Sequence, residues 1–263
     1  MLEAQAKFNS SELLEKIHVG TSNTFQWQGK EIPVAAVPWQ APVTGSIYGV
    51  VFNFKAQRDG FEKYFTQKPY LAPPKRPVMY IKPRNTVNAH LQPIPVPKHV
   101  DALEMNGTLG VVIGRDATNV MYSEAMDYVK GYTIVNDVTV PHDSMYRPQI
   151  YNKVRDGFCP TGPWIIDKNQ ISSISSLKIA TYINGSIVHE SRLDCLIRPI
   201  EQLIQDVTSF MTLFAGDMLL VGLPHAAPTA AIGDRVTITI DQMGSLENQL
   251  VEEEAYQPGG ERK

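Results

Sequence analysis

Cysteine is scarce. Cys159 and Cys195 are the two thiols in 263 residues. They stand far apart and lack metal-ligand spacing, so two reduced thiols in the cytoplasm are expected. Charge is sparse as well, with 24 basic residues against 27 acidic ones and a net charge of -3. A nucleic-acid binder that works by counterion release needs a basic face, which this balance does not supply. No apolar run approaches the ~20 residues that span a bilayer, so no membrane partner is expected. The opening Met1-Leu2-Glu3-Ala4-Gln5-Ala6-Lys7 has no apolar core behind a basic start, so no signal peptide is expected either. Sequons at Asn9, Asn106 and Asn184 therefore carry no expectation of glycosylation. Several familiar sites are missing from the sequence: a Gly-x-Gly-x-x-Gly opening a helix, a Walker loop, Gly-x-Ser-x-Gly and His-Glu-x-x-His. The six histidines are scattered and read as surface or core residues.

What is present is a globular composition, 43% hydrophobic and 19% charged, unlike that of a disordered chain. Nineteen prolines and 18 glycines predict many turns and short strands. Residues 1–45 read as a small N-terminal appendage. In it, Ser10-Ser11 ahead of residues 12–17 looks like a capped short helix, and residues 24–32 form a hairpin turning at Gln28-Gly29. The main domain is expected to run from 46 to 263. Residues 48–54, 78–82 and 109–114 read as strands, 58–66 as a short helix and 69–77 as an extended proline-rich loop. A helix is predicted from Pro199, with apolar residues at Ile200, Leu203, Ile204, Val207, Phe210, Met211 and Phe214 and Gly216 past its end. A second helix is predicted from the Ser123 cap to Val129, stopping at Gly131. Asn184-Gly185 between two β-rich runs predicts a tight hairpin. Residues 217–222 and 234–240 are further strands. The fold class is α+β, mainly β.

One polar stretch stands out, from Asn136 to Asp156. It contains Asn136-Asp137, Tyr146-Arg147-Pro148 and Lys153-Val154-Arg155-Asp156-Gly157-Phe158-Cys159-Pro160, and leads to Gly162-Pro163-Trp164. Charges set among buried strands destabilise unless they are paired or used. With Ile81-Lys82-Pro83, Val111-Val112-Ile113-Gly114, residues 127–132, Asn184-Gly185 and Gly216-Asp217 ahead of Gly222, this order of segments resembles the fumarylacetoacetate hydrolase family, from about Gly45 onward. Within the family it is most similar to the branch that isomerises and decarboxylates unsaturated hydroxy-dicarboxylates in 4-hydroxyphenylacetate degradation. There the segments around Ile81-Lys82-Pro83-Arg84-Asn85-Thr86 and Arg155-Asp156-Gly157-Phe158 match the N-terminal copy of a doubled domain.

The resemblance implies a mixed β-roll, dimeric packing as a homodimer or with a paralogous subunit, and a small anionic substrate. It also implies a divalent cation, magnesium or manganese, on three carboxylates: a Glu-x-Glu pair on one strand and the Asp of Asn-Asp. Residues i and i+2 of a strand point the same way, so such a pair reaches one ion. Here Asp137 matches the third ligand, while the paired positions fall on Asn106 and Thr108. Glu104 lies two residues further back, and Asn106-Gly107 also reads as a turn. Tight metal binding is therefore not expected. The family's His-x-x-Glu dyad falls on Gln57 and Gly60, which removes the base for hydrolysis. Lys153 matches the family's active-site lysine, and Asp137 could orient it. Arg147, Arg155 and Lys82 are candidate carboxylate-binding residues. Two functions stand at this stage: an isomerase/decarboxylase of 2-hydroxyhepta-2,4-diene-1,7-dioate-type acids with Lys153 as acid/base, or a metal-less, non-catalytic subunit of a metal-bearing paralogue.

Overall fold

The computed structural model describes residues 1–9, 11, 13–20, 23–142 and 149–256. Two main sheets carry it, with a separate two-stranded pair, Leu103–Glu104 and Thr229–Ala230. The larger has twelve strands. Its path runs Lys30–Pro33, Thr24–Trp27, Glu15–Val19, Leu2–Phe8, Cys159–Asp167, Val129–Asn136, Gly107–Ile113, Met218–Leu220, Ile47–Val51 and Val78–Lys82. The smaller has five: Ser186–Arg192, Lys178–Ile183, Arg235–Ile240, Gly244–Glu252 and Ile94–Val96. Most pairs are antiparallel, but Met218–Leu220 runs parallel to Ile47–Val51. The architecture is mainly β with short helices, as the sequence predicts. No helix among the described residues is long and apolar enough to cross a membrane.

The central strands explain the continuous apolar runs. Every residue of Gly107–Ile113 is buried, because this part of the sheet is covered on both faces. Alternate residues feed a main core that includes Leu109, Val111 and Ile113, and a smaller one with Val112, Val135, Ile165 and Met218. Truncating a fully buried leucine such as Leu109 to Ala costs about 2–5 kcal/mol. Gly107 lets the second sheet approach closely: a Cβ there would lie 2.9 Å from Ile238.

The strands Leu2–Phe8, Glu15–Val19, Thr24–Trp27 and Lys30–Pro33 continue the large sheet, joined to it where Leu2–Phe8 pairs with Cys159–Asp167. Phe8, Phe25 and Trp39 pack ring on ring, and Trp39 meets Trp164 at 5.9 Å. The hairpin at Gln28-Gly29 forms, with φ of 50° and 77°. Asn184-Gly185 does the same at 51° and 80°, the left-handed pair that a two-residue turn requires.

Three expectations are corrected. Glu15–Val19 is a strand, and the helix expected over 12–17 is absent from its described residues. Ile17 and Val19 alternate inward, and a strand there completes the edge left by Leu2–Phe8. The segment Tyr122–Tyr128 is a 3-10 helix, and Val129–Asn136 runs through Gly131 as a strand. Gly131 marks close strand approach instead of a helix cap: a Cβ there would overlap the Ile166 carbonyl. The helix after Pro199 ends at Thr208, leaving Phe210 and Phe214 exposed rather than in the core.

Candidate active site

The polar stretch meets the strand Val78–Lys82 at Asp137, which follows the last residue of Val129–Asn136. Asp137 is fully buried. Its backbone N–H donates to the Asn106 carbonyl and its carbonyl accepts from the Asn106 side chain, both at 3.0 Å. Asn106 therefore braces Asp137 across the gap between Leu103–Glu104 and Gly107–Ile113, and no tight turn forms there.

Three cations or donors converge on the Asp137 carboxylate. Lys82 Nζ lies 2.8 Å from Oδ1 and Lys153 Nζ 3.8 Å from Oδ2, and the Tyr80 hydroxyl donates to Oδ2. Lys82 was expected to receive a substrate carboxylate. Instead its ammonium is buried, and its other N–H groups go to the Lys153 carbonyl at 2.7 Å and the Val138 carbonyl at 3.2 Å. With two carbonyl acceptors and an ion pair to Asp137 it holds the Asp137 loop in place. Lys153 ends the short helix Ile150–Lys153, and its Nζ donates to Thr139 Oγ1 at 2.7 Å.

Burial alone would raise the Asp137 carboxyl, but the charges of Lys153 and Lys82 and the hydrogen bonds from Lys82 and Tyr80 hold it below its ordinary value. It is ionised at neutral pH. Burial lowers Lys153, assisted by the neighbouring Lys82 charge, while Asp137 and Glu104 pull the other way. A lysine whose proton affinity is weakened by burial gives up a proton more readily than a solvated one. Cys159 sits beside the same charges, but burial pushes its thiol up to about 12, so it is inert. Glu104 faces Thr139 across a bridge, with Glu104 N donating to the Thr139 carbonyl at 2.9 Å. Its carboxyl is raised by burial and lowered by Lys153.

Sequence reasoning missed Tyr80 and Thr139. The signal was available, because Tyr80 and Lys82 are i and i+2 on one strand and share a face.

Among the described residues, the remaining candidates do not belong to the cluster around the Asp137 carboxylate. Arg155 faces a cavity of about 360 Å³ lined by Pro95, Asp156, Phe158, Glu253 and Tyr256. Its guanidinium lies 3.6 Å from Glu253 and stacks on the Tyr151 ring at 4.5 Å. Arg147 lies outside the described residues. Gln57 and Gly60, on which the family's His-x-x-Glu dyad falls, do structural work: Gln57 Oε1 accepts from Phe52 N–H at 2.7 Å, and at Gly60 a Cβ would strike the His225 ring.

The donor set does not fit a hard divalent ion. Such an ion needs several charged or carbonyl oxygens. Thr108 donates its hydroxyl to the Gly222 carbonyl at 2.6 Å and Asn106 its amide to Asp137. Asp137 itself is shared by two ammonium groups within 4 Å, which would repel a cation.

A family model described as fumarylacetoacetate (FAA) hydrolase C-terminal matches residues 46–251. The chain belongs to the fumarylacetoacetate hydrolase family. A 4-hydroxyphenylacetate degradation bifunctional isomerase/decarboxylase of Escherichia coli is 39% identical over 209 residues, which is 80% of this chain and 48% of the relative. The chain thus spans about half the length of that relative. Among solved structures, a 5-carboxymethyl-2-hydroxymuconate delta-isomerase from Mycobacterium smegmatis superposes with a TM-score of 0.78 at 27% identity, covering 96% of this chain and 99% of the other. A 2-hydroxyhepta-2,4-diene-1,7-dioate isomerase from Mycobacterium marinum gives 0.75 at 26% identity over the same shares.

Proposed function

We propose that this chain is an isomerase that moves a proton along an unsaturated hydroxy-dicarboxylate of the 2-hydroxyhepta-2,4-diene-1,7-dioate type, with Lys153 as acid/base. The observation that carries the reading is the Lys153 ammonium. It is almost buried, sits 3.8 Å from an ionised carboxylate, is fixed by Thr139, and has its proton affinity lowered by burial. The isomerase names of the two solved relatives point the same way.

The reaction needs little else. The enol O–H at C2 breaks and a carbonyl forms. The two C=C bonds become one between C3 and C4, and a C–H bond forms at C5. No electron leaves and no atom is lost. One amine can take the hydroxyl proton and return a proton at carbon, and its positive charge stabilises the dienolate between the two steps. Asp137 keeps that charge in place. Arg155, loosely held by Glu253, and Arg147 are the proposed clamps for the substrate carboxylates. Decarboxylation falls outside this reading. The hard cation that would take up its oxyanion charge has no suitable donor set here.

The test is turnover of 2-hydroxyhepta-2,4-diene-1,7-dioate in deuterated water. Loss of the dienol absorbance with one deuterium incorporated at C5, abolished in Lys153→Ala, is the expected result. Equal rates in wild type and Lys153→Ala would refute the assignment.

A further inference from the structure

Asp137 has two oxygens and three donors around them. Lys82 takes Oδ1 at 2.8 Å and the Tyr80 hydroxyl takes Oδ2, while Lys153 stands back at 3.8 Å from Oδ2. A hydrogen-bonded ammonium–carboxylate pair sits at about 2.7–2.9 Å. Lys153 therefore feels the Asp137 charge without bonding to it, and among the described residues its hydrogen bond goes to Thr139. The Tyr80 ring lies beside the same nitrogen, its centroid 4.9 Å from Nζ, within cation–π range. The backbone opposite is shaped to this ring. Gly49 is the ladder partner of Tyr80, and a Cβ there would overlap it.

We propose that Tyr80 is the positioning residue of Lys153: its hydroxyl occupies the Asp137 oxygen that Lys153 would otherwise bond, and its ring supports the ammonium. This rests on the reading of Lys153 as acid/base. A lysine locked to a carboxylate must break that contact before its proton can move. A lysine held at 3.8 Å, with one bond to a hydroxyl, keeps N–H groups and, once deprotonated, a lone pair for substrate. Without the Tyr80 hydroxyl, Oδ2 becomes the nearest acceptor and Lys153 closes onto it.

Tyr80→Phe separates the two parts, since it keeps the ring and removes the donor. The expected result is a kcat lower by about 10-fold or more with KM within about 2-fold of wild type, and an unchanged melting temperature. Gly49→Ala, which displaces the ring, is expected to lower kcat in wild type and to have no further effect in a Tyr80→Ala background. A substrate-free readout runs beside these: the 15N resonance of the Lys153 ammonium, assigned with Lys153→Arg, is expected to shift in Tyr80→Phe. If the wild-type chain does not turn over the dienol, the functional reading fails, while the resonance still tests the positioning. An unshifted resonance overturns the proposal. So does a Tyr80→Phe enzyme with wild-type kcat, or one that loses only KM, which would make Tyr80 a substrate-binding residue.

Discussion

The Asp137 cluster and the Arg155 corner are built from the same kinds of charge and behave as opposites. At Asp137 the carboxylate is buried and held by two lysines and a tyrosine. At Arg155 the side chain keeps 21% of its surface and faces a 47%-exposed Glu253 at 3.6 Å. Burial makes the first pairing obligatory, because a charge left alone in low dielectric is far more costly than one left in water. Exposure makes the second exchangeable, as the carboxylate clamp proposed for Arg155 requires. Two lysines on one carboxylate show the same contrast at shorter range. Lys82 has two carbonyl acceptors besides its ion pair with Asp137, whereas among the described residues the Lys153 ammonium donates a hydrogen bond to Thr139 alone.

The largest expected effect falls on catalysis. Lys153→Ala should reduce kcat/KM for the dienol by about 10²–10⁴-fold, measured by dienol absorbance. Next comes the stability of the buried pair. Asp137→Asn leaves the Lys82 ammonium uncompensated and should lower unfolding free energy by about 3–5 kcal/mol in urea titrations. Glu253→Gln at the corner should change it by less than about 1 kcal/mol. Similar losses in both would erase the contrast. A third prediction concerns His90, which is buried but paired differently. Its Nδ1 accepts from the Glu247 N–H at 3.0 Å, and burial lowers its pKa from 6.5 to about 4. The unfolded chain therefore binds this proton first as pH falls. The contribution is complete above pH 6.5 and is lost between 6.5 and about 4, amounting to on the order of 3 kcal/mol. Unfolding titrations of wild type and His90→Gln across that window should converge as pH drops. The smallest effect is at the clamp: Glu253→Gln frees Arg155 and should lower KM by a few-fold with kcat unchanged.

Much of this was legible in the sequence where the cause is local. Gln28-Gly29 and Asn184-Gly185 announce their hairpins because two left-handed residues suit few alternatives. The run at 109–114 announces a strand covered on both faces. The missing carboxylates at Asn106 and Thr108 were legible through the family resemblance, whose Glu-x-Glu pair falls on those two positions. What escaped depended on tertiary neighbours. Gly131 looks like a helix cap until the Ile166 carbonyl is seen beside it. Phe210 and Phe214 keep helical spacing after the helix has stopped. Lys82 reads as a substrate ligand because its three partners come from segments 55 or more residues away. Tyr80 hides within an apolar strand.

The central claim is that Lys153 carries out the proton transfer at a site whose donors do not suit a hard cation. Its most direct test is the rate of dienol loss by chain stripped with a chelator, before and after adding manganese or magnesium. The expected result is the same rate in both conditions and its loss in Lys153→Ala. Turnover that appears only when the metal is added would contradict it.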